Sequence, residues 1–191
     1  MFFGSKNGPT RVDPSQVEDL ANLKVTDART GDTISVVGIG DEFADLDFTV
    51  DQRAMLEIGT QRWIEISGLY RNRRVSLETL NGSDGIQVFG HVDGRKITLD
   101  ELGLTEEDLS EIDRRQNPAD NFEFEEALWK YRWSREIGVF GERSPQGTGC
   151  YVWRFEDDKR HILTVRKLAN EPFTAYVSLR VDPGDVTVYR G

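Results

Sequence analysis

Between residues 61 and 80 apolar and polar side chains alternate almost one for one. Ile64 and Ile66 alternate with Trp63 and Glu65, and Val75 and Leu77 with Ser76 and Glu78. A period of two is the mark of β-strands with one buried face. The same reading gives strands at 33–39, 46–50, 53–58, 61–66, 74–80 and 85–92, and again at 127–140, 150–155, 160–168, 173–181 and 186–189. Turn-forming residues separate them, including Gly31-Asp32, Gly40-Asp41, Gly59-Thr60, Asn81 through Gly85, Asp93-Gly94 and Asp182-Pro183-Gly184-Asp185.

Helical signals are few. Asp13-Pro14 followed by acids predicts a short N-terminal helix over 13–20, docked through Val17 and Leu20. Thr98 with Glu101, and Thr105 with Asp108, are capping-box spacings, which predict two short helices from Leu99 to about Arg115. The fold class is therefore mainly β, a β-rich α+β chain of antiparallel sheets with a short helical insert and an N-terminal helix. An arm at 1–23 precedes a β-rich domain at 24–191. That domain reads either as one barrel-like sheet or as two lobes, 24–98 and 119–191, joined by the insert 99–118. A faint echo links its halves: Trp63 then 75–80 in the first, Trp153 then 163–168 in the second.

Composition narrows the function classes. The 191 residues are 37% hydrophobic and include four Trp, five Tyr and ten Phe, enough for a packed core. The net charge of -10 opposes a phosphate backbone, so no nucleic-acid partner is expected. Met1-Phe2-Phe3 is far too short for a membrane span or a signal-peptide core, which leads to the expectation of a cytoplasmic protein. Cys150 has no partner for an internal disulfide and reads as a buried thiol.

Four groups of residues could carry chemistry. The run 41–51 holds five carboxylates, and Asp45 and Asp47 are its candidates for a metal or cationic ligand. It lacks a calcium-loop order, and the two acids share a strand face opposite Leu46, Phe48 and Val50, so a solvated face is the first reading. Trp129, Tyr131 and Trp133 alternate with Lys130, Arg132 and Ser134, which places the aromatics on one face as a core layer or, if exposed, a partner-binding surface. Glu65 and Glu78 fall near one another on adjacent strands. They are candidates for acid–base work or for holding a cation, with surface pairing to Arg62, Arg73 and Arg74 as the simpler outcome. His91 and His161 lack companions at zinc-ligand spacing. No nucleophile elbow or phosphate loop is present, and 38–40 lacks the third glycine of a dinucleotide fingerprint, so neither a catalytic residue nor a cofactor nor a resident metal is assigned.

Gly59-x3-Trp63-Ile-Glu65-Ile followed by Ser76-Leu77-Glu78 resembles the opening strands of the bacterial domain-of-unknown-function family 4178. Tyr151-x-Trp153, His161 through Val165, Phe173-x-Ala175 and Val181 through Val188 resemble its closing strands, so the resemblance spans about 24–189. Ile66, where the family often has an aromatic, and Arg166, where it often has an acid, depart from the pattern. The family has no established activity. Its gene neighbours, a small membrane protein and a homologue of polyamine aminopropyltransferases, imply an accessory role in a membrane-associated or membrane-stress system. The expectation is a non-enzymatic adaptor that binds a protein partner, peripheral to the inner membrane. The alternative is a binder of, or enzyme acting on, a small cationic ligand such as a polyamine, held by Asp45, Asp47, Glu65 or Glu78 with aromatic walls.

Overall fold

The computed structural model of the chain describes residues 22–82, 85–142 and 144–191, and the expected helix over 13–20 lies outside them. Eleven strands follow in sequence: β1 (Thr33–Val36), β2 (Leu46–Ile58), β3 (Gln61–Tyr70), β4 (Arg73–Gly82), β5 (Gly85–His91), β6 (Asn121–Phe124), β7 (Ala127–Gly141), β8 (Ser144–Glu156), β9 (Ile162–Leu168), β10 (Thr174–Val181) and β11 (Val186–Tyr189). Helices α1 (Leu99–Leu102) and α2 (Glu106–Arg115) separate β5 from β6. Both begin with the expected reciprocal caps, in which the Thr98 and Thr105 hydroxyls accept from the Glu101 and Asp108 amides and those carboxylates accept in return.

All strand pairings are antiparallel and form one sheet in the order β11-β1-β2-β3-β4-β5-β10-β9-β8-β7-β6. The second half of β2 also pairs with the end of β7, Ala54 opposite Gly141 through Glu57 opposite Gly138. That pairing turns the eight strands β2-β3-β4-β5-β10-β9-β8-β7 into a ring, so the barrel-like arrangement is the one formed. Within it β2–β5 and β7–β10 are successive four-strand meanders, and the echo noted in sequence falls on matching strands, β3 with β8 and β4 with β9.

Bulges at Asp51 and Arg132 bend the two long strands where they enter the ring, and the β7–β8 register shifts once more between Val139 and Gly141. In β2 the register jumps from Val50–Gly68 to Gln52–Ser67, leaving Asp51 unpaired, so the runs 46–50 and 53–58 are one bent strand rather than two. In β7 it jumps from Tyr131–Phe155 to Trp133–Arg154, leaving Arg132 as the extra residue. A bulge bends a strand and reverses which side chains face a given side. Each long strand thus serves an outer neighbour with its first part, β1 or β6, and the ring with its second.

The apolar residues collect in three places. One core lies outside the ring, where Ile34, Val36, Val186 and Val188 of β1 and β11 cover Leu46, Phe48, Val50, Ile66, Val75 and Leu77. A second lies under the helices, where Leu102, Leu109 and Ile112 pack on Trp129, Tyr131, Trp153, Phe155, Leu163 and Val165. Trp153 ties helix to sheet by donating its indole N–H to the Leu109 carbonyl at 3.1 Å. The third and smallest, Leu56, Trp63, Ile137, Cys150 and Val152, fills one part of the ring interior.

Candidate functional site

The rest of the ring interior is charged. Glu65 on β3 and Glu78 on β4 are direct cross-strand neighbours. β3 stands four strands from β9 around the ring in either direction, and β4 four from β8. Bonds between these strands therefore cross the lumen. Arg166 of β9 reaches Glu65 with both terminal nitrogens, at 3.2 and 2.5 Å, and Arg154 of β8 pairs with Glu78. The Arg166 terminal nitrogen also lies 3.7 Å from the second Glu78 oxygen, which joins the two pairs into one network. Arg154 stacks over the Trp133 ring and Arg166 over the Tyr176 ring, each at 5.1 Å. The first meander supplies the carboxylates and the second the guanidiniums.

This corrects the expected pairing. Arg62 pairs with Glu57, Arg73 with Asp41 and Arg74 with Asp51, so these local arginines are used at the surface. Glu65 and Glu78 turn inward and are met by residues some 76 to 101 positions away. A signal for this was present in β8: Cys150, Val152 and Arg154 share one face while Tyr151, Trp153 and Phe155 share the other, and both faces are mostly buried. A charge on a strand that is apolar on both sides calls for an acid inside.

Burial pushes the Glu65 carboxyl up, but the Arg166 charge and hydrogen bonds outweigh it and hold Glu65 below the ordinary value of 4.5, while Arg166 is held well above its own. Glu65 is thus a fixed anion at neutral pH, not a proton donor. Burial likewise raises the Tyr176 hydroxyl and the Cys150 thiol, which keeps both protonated. Because the folded Glu65 value is depressed, its contribution is present above the unfolded carboxylate range and is lost as pH falls through the folded value. Glu65→Gln should therefore flatten the decline of the melting temperature below about pH 4.5. Thermal unfolding of both proteins from pH 7 to pH 3 checks this, and parallel curves would contradict it.

The other sequence candidates are dispersed. Asp45 accepts the Gly38 amide at 3.0 Å, Asp41 is held by Arg71 and Arg73, and Asp47 lies exposed on β2 opposite Ser35, so the acidic run does not converge. Among the described residues no group of three or more His, Cys, Asp or Glu side chains is arranged to hold a metal. His91 faces the Val177 carbonyl at 3.1 Å, and His161 shares Asp157 across a hairpin.

Trp129 and Tyr131 are buried in the helix-covered core, but Trp133 is not on their face. The bulge at Arg132 sends Trp133 into the ring and gives its expected place to Ser134, which is buried opposite Trp153. Ser134 donates to Asp113 of α2 at 2.6 Å, and the Tyr151 hydroxyl reaches the same oxygen at 2.7 Å. Burial and that carboxylate push the Tyr151 hydroxyl up to about 12. The Asp113 cluster is a clamp between α2 and the sheet rather than a reactive center, because Ser134 is sealed from solvent.

Two surfaces remain. At one end of the ring a cavity of about 410 Å³ is lined by Trp63, Trp133, Arg135 and Arg154, with Gln61, Asn81 and Gln87 at its rim. At the far end of β3, Phe43 is 90% exposed, with Val37 at 55% and Leu69 at 52%. Among the described residues no helix is long and apolar enough to cross a membrane. No family model matches the chain, and comparisons with curated proteins and with solved structures likewise find no match.

Proposed function

We propose that this chain is a non-enzymatic accessory module that docks a protein partner, acting in the cytoplasm at the inner face of a membrane, as its resemblance to family 4178 implies. The observation that carries the reading is the presentation of Phe43. Glu42 and Phe43 both hold left-handed backbone, with φ of 58° and 60°. That conformation is costly for a bulky side chain and persists only where its surroundings enforce it. Here the loop is braced by the Gly40 amide donating to the Ala44 carbonyl at 2.7 Å and by Asp41 pairing with Arg71 and Arg73. A backbone held in that state to put a phenyl ring into water serves no contact among the described residues, whereas an interface rewards an aromatic anchor. The chemically capable groups, by contrast, are bound to one another inside the ring.

The test is affinity capture from gently solubilised membranes of the host, comparing wild type with Phe43→Asp at matched melting temperature. A membrane protein recovered with the wild type and depleted at least about tenfold by the substitution is the expected result. Identical recovery with both proteins removes Phe43 as the anchor and the reading with it.

A further inference from the structure

We propose that the cavity at the open end of the ring is a binding site for a small anion with a flat apolar body, such as an aromatic carboxylate. It lies at the opposite end of β3 from Phe43 and is independent of that surface. About 410 Å³ is within the range of pockets that hold small ligands. Its walls are two indoles, Trp63 and Trp133, with Ile58 and Leu80, and its charged groups are both guanidinium, Arg135 and Arg154. No described lining residue is a carboxylate, although the chain carries a net charge of -10. Arg154 is already paired with Glu78, so the uncompensated charge at the cavity is that of Arg135, which favours an anion over the polyamine of the alternative reading.

The donors are poorly satisfied. Arg135 is exposed and stacks on the Trp133 ring at 5.7 Å, with no carboxylate partner among the described residues. The indole N–H of Trp63 and the Nε–H of Arg154 are buried and have no acceptor among the described residues. A buried donor without an acceptor is costly, so a ligand oxygen delivered here gains more than it would at an ordinary surface. Stacking on indole would orient the apolar body, and Arg135 would fix the acid at the rim.

Isothermal titration calorimetry with 2-naphthoate, against 2-naphthylmethylammonium as the cationic isostere, tests the proposal. Naphthoate should saturate with Kd of about 1 mM or tighter, from the affinity that its number of non-hydrogen atoms allows. The ammonium compound should give no saturable heat. Arg135 is exposed, so Arg135→Glu should keep the wild-type melting temperature while weakening naphthoate at least about tenfold, with Arg135→Gln intermediate. On saturation the Trp63 indole N–H resonance, assigned from Trp63→Phe, should move. Absence of naphthoate binding, equal or tighter binding of the ammonium compound, or undiminished affinity in folded Arg135→Glu would each overturn the site.

Discussion

Glu78→Leu is expected to cost about 3 to 5 kcal/mol of folding stability, because it leaves a buried charge without its partner. The side chains of Arg154 and Glu78 are only 7% and 8% exposed. With Glu78 gone, Arg154 loses its hydrogen-bonded partner and lies against the face of Trp133. The reverse change is milder. Arg154→Met leaves a carboxylate that already has a second guanidinium, that of Arg166, at 3.7 Å. The double variant, with both partners apolar, should regain most of the loss, since a buried pair is hard to break but often easy to replace. Urea unfolding at pH 7 measures all three, and the Glu78→Leu loss corresponds to roughly 10 °C in melting temperature. A Glu78→Leu protein within about 1 kcal/mol of wild type, or a double variant less stable than either single one, would show that the network does not work this way.

Trp129→Ala should be nearly as damaging, about 3 to 5 kcal/mol, whereas Trp133→Ala should cost about half as much or less. The two tryptophans lie on one strand and look equivalent in sequence. Trp129 sits in the helix-covered core and donates its indole N–H to the Phe124 carbonyl at 3.2 Å, so its loss opens a cavity and removes that bond. Trp133 is only partly buried and already borders open space at the ring mouth. Removing it enlarges a cavity that exists rather than creating one. Parallel denaturation of the two variants decides the matter. Equal losses would mean that the bulge at Arg132 does not divide the aromatic run as described.

That bulge also marks where legibility in the sequence ended. Alternation is a local signal, and it identified β3, β4, β9 and β10 because their side chains obey one period from end to end. The capping boxes at Thr98 and Thr105 were equally local and equally readable. An extra residue at Asp51 or Arg132 has no compositional mark, so the alternation divides β2 into two strands and sets Trp133 on the wrong face. β6 carries no such signal because its hairpin turns through Glu125 and Glu126, at φ of 48° and 60°, where a glycine or asparagine would mark the turn. The inward carboxylates were correctly placed beside each other, since β3 and β4 form a hairpin. Their partners were not, because no local pattern tells Glu65 that Arg166 will come to face it. Arg166 and Arg154 together balance the interior carboxylates.

The ring imposes an order on its own assembly. β5 finds its outer partner only in β10, and β1 only in β11, the last two strands in the chain. During synthesis the first meander can zip into hairpins early, yet its flank stays open while about eighty more residues are added, a loop whose closure is slow as well as entropically costly. A ribosome that stalls between β9 and β10 would therefore release a sheet with unpaired edges around an ion network whose four residues are already present, the kind of product that chaperones and proteases are there to intercept.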